Sequence, residues 1–130
     1  MNDLVLLGRI LYSLIFLESI LSNFSASSIG KAADKGVPMA NILVPAAGIV
    51  AFVGGLSIVL GYKAKLGAWL IILFLVPVTL MMHNFWTITD PVMRRTQRVM
   101  FMKNLSMVGA ALMIAYFGAG PLSIDSMEQS

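Results

Sequence analysis

A chain of 130 residues has room for one domain, and 58% hydrophobic against 12% charged residues departs from a soluble domain, in which about a quarter of residues are charged. The absence of cysteine excludes disulfides, thiolate nucleophiles and cysteine-ligated zinc or iron–sulfur centres, and one histidine excludes a polyhistidine metal site. The net charge of +3 does not point to nucleic acid, because most basic residues flank apolar runs, the pattern that orients membrane spans.

Lipid is therefore the solvent this composition suits, and about 17–25 apolar residues cross it as a helix. Residues 4–21 form the first such run, interrupted by Arg9 and Glu18. Its apolar stretch and the small residues of "SNFSASS" resemble a signal peptide. It lacks a basic leading region and carries an acid near its far end, so it is expected to stay as a span. The stretch "SASSIGKAADKGVP" offers serines for an N-cap and Gly36 before Val37-Pro38 as a stop, which predicts a short helix at the membrane surface.

The second and third runs, 40–60 and 66–82, are separated only by "GYKAK" and must form a tight hairpin. Small residues Ala47, Ala51 and Gly55 recur at spacing four in the second run, a stripe that lets a neighbouring backbone approach closely. The fourth run, 99–117, follows "TDPVMRRTQRVM", where Asp90 suits an N-cap and Pro91 the first helical position. Span four is thus expected to begin at Pro91, outside the hydrocarbon. Ser106 and Ala110 share a face with Lys103, which predicts that the lysine points inward.

The expected fold class is all-α: a single domain over 1–130, a membrane-embedded four-helix bundle with antiparallel neighbours and a short interfacial helix after the first span. That connectivity places Glu18, His83, Asn84, Lys103 and Asn104 near one side of the membrane, the side of the long loops. Charges facing lipid cost several kcal/mol on insertion scales, so they pair or face a cavity. Glu18 and Lys103 are the natural ion pair. His83, Asn84, Asn104 and Arg98 can complete a polar layer, with Trp86 and Phe85 at the interface. Arg9 lies on the opposite side with Lys63 and Lys65 and is expected to snorkel.

An imidazole exchanges protons and an ammonium donates to a carbonyl, so a layer capped by an indole suits a flat amphipathic ligand such as a quinone. No nucleophile–base pair, phosphate loop, nucleotide fingerprint or metal cluster is visible, so no intrinsic cofactor is expected and the site is assigned no metal.

The segments "GKAADKGVP", "FVGGLSIVLGYKAKLGA", "HNFW", "MFMKNLSMVGAALM" and "GAGPLSID" resemble, in that order, the DoxX family of small four-helix membrane proteins, named for a subunit of an archaeal thiosulfate:quinone oxidoreductase. The resemblance implies the fold, and carries over His83, Asn84, Phe85, Trp86, Lys103 and Asn104, with Gly54 and Gly55 as packing glycines. It implies an accessory or quinone-binding subunit in membrane redox metabolism or oxidative stress, without catalysis alone and with an oxidoreductase or a second copy of the chain as partner. A permease acting as an oligomer and a structural partner of another membrane protein are the alternatives. Lys31, Lys35, Arg94, Arg95 and Arg98 on the long-loop side, against Lys63 and Lys65 opposite, predict cytoplasmic long loops and external termini, in a bacterial inner membrane.

Overall fold

A computed structural model describes residues 2–128, without the side chain of Glu128. Six α-helices follow one another: α1 Asn2–Ser22, α2 Ala26–Asp34, α3 Ala40–Leu60, α4 Ala64–Met82, α5 Pro91–Phe117 and α6 Ile124–Glu128, with one 3-10 turn at Phe85–Thr87. No strand occurs among the described residues. Four of the helices, α1, α3, α4 and α5, are long and apolar enough to cross a membrane. Inside lipid a helix satisfies every backbone polar group within its own segment, which is why runs of this length take no other form.

The ends of the helices obey local chemistry. Ser25 caps α2 by accepting from Ser28 N at 3.2 Å. Asp90 caps α5 by accepting from Met93 N at 3.3 Å, with Pro91 in the first turn, as the sequence pattern requires. The 27 residues of α5 reach about 40 Å at ~1.5 Å per residue, longer than a hydrocarbon core of ~30 Å.

The packed pairs run α1 with α3, α3 with α4, and α4 with α5, and α2 lies against α3. α1 and α5 are therefore the outer members of the row, bridged where Tyr12 Oη donates to Met107 O at 2.7 Å. The buried core is Phe16, Ala51, Ile58, Ala68, Ile71, Leu75 and Ala111, and its three alanines permit the close helix approach that, rather than water exclusion, holds helices together in lipid. A Cβ on Gly54 would stand 2.9 Å from Gly67 O, and one on Gly55 would stand 3.0 Å from Phe16 Cβ. Ala51, Gly54 and Gly55 are buried, whereas Ala47 is half-buried and borders a cavity. The small residues thus serve two seams, one against α1 and one against α4.

The inward face of α5 differs from the sequence expectation. Lys103 and Ser106 are exposed, and Asn104 and Ala111 are the buried residues. One residue along a helix is a turn of about 100°, and Asn104 holds the inward position because its amide finds a partner, Thr79 Oγ1 at 3.1 Å.

At the end of the bundle holding the α3–α4 turn, the segment after α5 folds back over the helices. Arg9 is 5% exposed and donates to Ala119 O at 2.9 Å, Pro121 O at 3.2 Å and Leu122 O. It does not snorkel; three carbonyls from the returning segment hold it inside. Asp125 accepts from Lys63 N at 2.7 Å and Ala64 N at 3.0 Å, occupying orphan donors at the start of α4, and donates its own N–H to Gly61 O at 2.7 Å. Gly61 has φ +68, and a Cβ there would lie 2.1 Å from Ser123 Cβ, so both its backbone and its lack of a side chain are required.

Candidate functional site

At the opposite end, α2 folds over the junction of α3 and α4 and leaves a cavity of about 430 Å³, within the range of small-molecule sites. Its wall is apolar: Val37, Leu43, Val44 and Ala47 from the α3 side, and Phe74, Pro77, Val78, Met81 and Met82 from α4. Its polar groups are Asn23 just beyond α1, Ser28 and Lys31 on α2, and His83 at the end of α4. The amphipathic helix makes this division. Ala32 is its buried residue, packed toward the bundle, and Lys31, one position before it, is exposed.

Each polar group has a defined state. Asn23 Nδ2 donates to Val44 O at 3.1 Å, which ties the end of α1 to α3. Ser28 Oγ bonds Ser25 Oγ at 3.0 Å. His83 Nδ1 lies 2.7 Å from Gln97 Oε1; an amide oxygen only accepts, so the pairing makes Nδ1 the donor. Lys31 forms no ion pair among the described residues, leaving an ammonium beside an apolar pocket. The arrangement sets an apolar chamber beside hydrogen-bond donors and one ammonium. It holds no nucleophile–base pair, and among the described residues no group of three or more His, Asp or Glu could hold a metal.

Of the residues expected to form one polar layer, only His83 lines this cavity. Asn84 Oδ1 accepts from Lys35 Nζ at 3.1 Å, and Asn104 is buried against Thr79. Trp86 is exposed, 5.4 Å from the Phe85 ring and 5.8 Å from Phe101. Arg98 is exposed. The Glu18–Lys103 ion pair is not made: both side chains are exposed and no bond joins them. The layer divides into three separate pairs, His83 with Gln97, Asn84 with Lys35 and Asn104 with Thr79, and α1 contributes to none of them. Asn23, Ser28, Lys31 and Phe74 went unnoticed as site residues; the signal for them was the helical pattern of 26–34, which has to lay one face on the neighbouring spans.

Comparison with known proteins bears on these expectations. The profile of the SURF4 family matches residues 2–130. The chain is 27% identical over 124 residues to the inner membrane protein YphA of Escherichia coli, covering 94% of this chain and 88% of that protein. It is 27% identical over 81 residues to the ER-derived vesicles protein ERV29 of Saccharomyces cerevisiae, covering 62% of this chain and 26% of that one. With the Surfeit locus protein 4 homolog of Drosophila melanogaster it shares 34% over 73 residues, 55% of this chain and 27% of the relative. It thus spans about a quarter of each eukaryotic relative and most of the bacterial one. No solved structure matches it.

The DoxX resemblance is overturned by the family match, and the quinone and oxidoreductase expectations lose the support they drew from it. The motifs behind that resemblance are packing and turn positions, Gly54, Gly55 and Gly61 among them, which any tight four-helix bundle needs. With a family profile covering the chain from residue 2 to residue 130 and four helices able to span a bilayer, this is an integral membrane protein belonging to the SURF4 family.

Proposed function

We propose that this chain is a membrane-resident binding protein for an amphipathic small molecule with one apolar chain and an anionic or hydrogen-bond-accepting head. The observation that carries the reading is the apolar cavity under α2 with Lys31, Ser28 and Asn23 on its polar side. The chain enters between α3 and α4, and the head is met by the Lys31 ammonium. The four spans run alternately up and down; paired contacts support this, since His83 meets Gln97 while Thr79, one turn earlier, meets Asn104, seven residues later. α2 then lies at the membrane surface, with the cavity at headgroup depth. The full-length match to YphA supports residence in a bacterial inner membrane, and the excess of Lys and Arg on the α2 side supports that side being cytoplasmic.

Mass spectrometry of small molecules retained by the mildly solubilised protein tests the reading. Ala47→Phe fills the cavity wall and Lys31→Glu reverses the charge beside it. Loss of one retained amphiphile in both variants, with the helical content and thermal midpoint kept, is the expected result. Identical extracts from both variants and wild type would remove the proposal.

A further inference from the structure

Two charges stand inside apolar runs without a side-chain partner among the described residues. Glu18 and Lys103 are exposed, and neither side chain has a hydrogen bond or ion pair among the described residues. On α1, Glu18 continues the row Leu7, Leu11 and Leu14, which are 49%, 59% and 53% exposed and face lipid. On α5, Lys103 continues the row of exposed Val99 and Ser106. Since α1 and α5 are the outer helices of the packed row, the two rows border one continuous face.

They also share a depth. The Tyr12–Met107 bond sets a common level on the two helices, and Arg9 with Ala119 marks the direction toward one end. Toward the other end, Glu18 is six residues from Tyr12 and Lys103 four residues from Met107. At ~1.5 Å per residue these are about 9 Å and 6 Å, so the charges differ in depth by about 3 Å. Opposite charges at one depth, each unpaired in lipid, call for partners brought by another surface.

We propose that the α1/α5 face is the interface of a two-fold homodimer in which Glu18 of each chain pairs with Lys103 of the other. A two-fold axis makes such a patch self-complementary: residue i meets j and j meets i, and the pair forms twice, once on each side of the axis. Gly8, exposed with open space where a Cβ would stand, lets the second copy approach closely. This inference is independent of the cavity under α2.

The cysteine-free sequence allows a direct test. Two differently tagged chains, one Glu18→Cys and one Lys103→Cys, are coexpressed and oxidised in native membranes. The expected result is a disulfide-linked pair carrying both tags, in clear excess over a control pair in which both chains carry Leu73→Cys, a residue 63% exposed on α4. Equal linkage at both positions, or none, overturns the proposal. So does a chain carrying both cysteines that closes only within itself, or a monomer that retains anionic phospholipid dependent on Lys103. Glu18→Lys is expected to give monomers, and Glu18→Lys with Lys103→Glu to restore the dimer; a Glu18→Lys protein that stays dimeric also overturns it.

Discussion

Arg9 donates to the carbonyl of Ala119 at 2.9 Å across 110 positions of sequence. The same guanidinium binds Pro121 and Leu122 carbonyls, so one side chain of α1 holds residues 119–122 of the chain returning after α5. Arg9→Met removes these bonds and leaves buried acceptors unpaired, a loss of about 3 kcal/mol. The expected outcome is a lower thermal midpoint together with faster proteolysis at 118–123, read by limited digestion in detergent. Arg9→Lys retains one donor point and is expected to fall between.

Asp125 supplies the cap of α4 from 62 positions beyond Lys63 and 61 beyond Ala64. Asp125→Asn keeps an acceptor but drops the charge that suits a helix N-terminus, whereas Asp125→Ala removes the cap and costs about 1 kcal/mol. Thermal melts of the two variants should rank wild type, Asn, then Ala.

Asn104 and Thr79 form a buried pair. Asn104→Leu strands the threonine hydroxyl and is expected to cost about 1–2 kcal/mol, while Thr79→Val with Asn104→Leu recovers most of that loss. A double-mutant cycle by chemical denaturation in mixed micelles measures the coupling.

Two glycines of the spans should respond oppositely to alanine. Gly54→Ala drives a methyl to 2.9 Å from Gly67 O and 3.0 Å from Ile71 Cδ1, forcing α3 and α4 apart at about 1–3 kcal/mol. Gly109 meets nothing within 4 Å, so Gly109→Ala is expected to be neutral or to stabilise by up to about 1 kcal/mol. Melting temperatures of both in one lipid mimic decide it.

For orientation, a C-terminal alkaline phosphatase fusion is expected to be active and a C-terminal green fluorescent protein fusion dark, if the basic excess marks the α2 side as cytoplasmic as proposed. The reverse pattern refutes the proposed topology.

The four spans and the start of α5 at Asp90-Pro91 could be read from sequence because apolar run length and capping chemistry act locally. The inward face of α5 could not: Lys103 and Asn104 are adjacent, and only the position of Thr79 on another helix decides which turns in. Arg9 lies at the end expected of it, beside the turn carrying Lys63, but its burial could not be read for the same reason. A span carrying an arginine reads as snorkelling until residues 119–122 are seen to return over it. The cavity under α2 escaped notice because its polar members, Asn23, Ser28 and Lys31, are unremarkable surface residues until α2 is laid against α3.

The Arg9 clasp also sets a timetable for biogenesis. Arg9 leaves the ribosome 110 residues ahead of Ala119, and its acceptors follow only after four spans have been made. During that interval the guanidinium has no protein carbonyls to meet and must stay with water or phosphate headgroups, as must the uncapped N–H groups of α4. The bundle can assemble span by span, but the end bearing the α3–α4 turn is sealed last, so an elongation-arrested nascent chain stopped before residue 119 should be inserted yet unlatched.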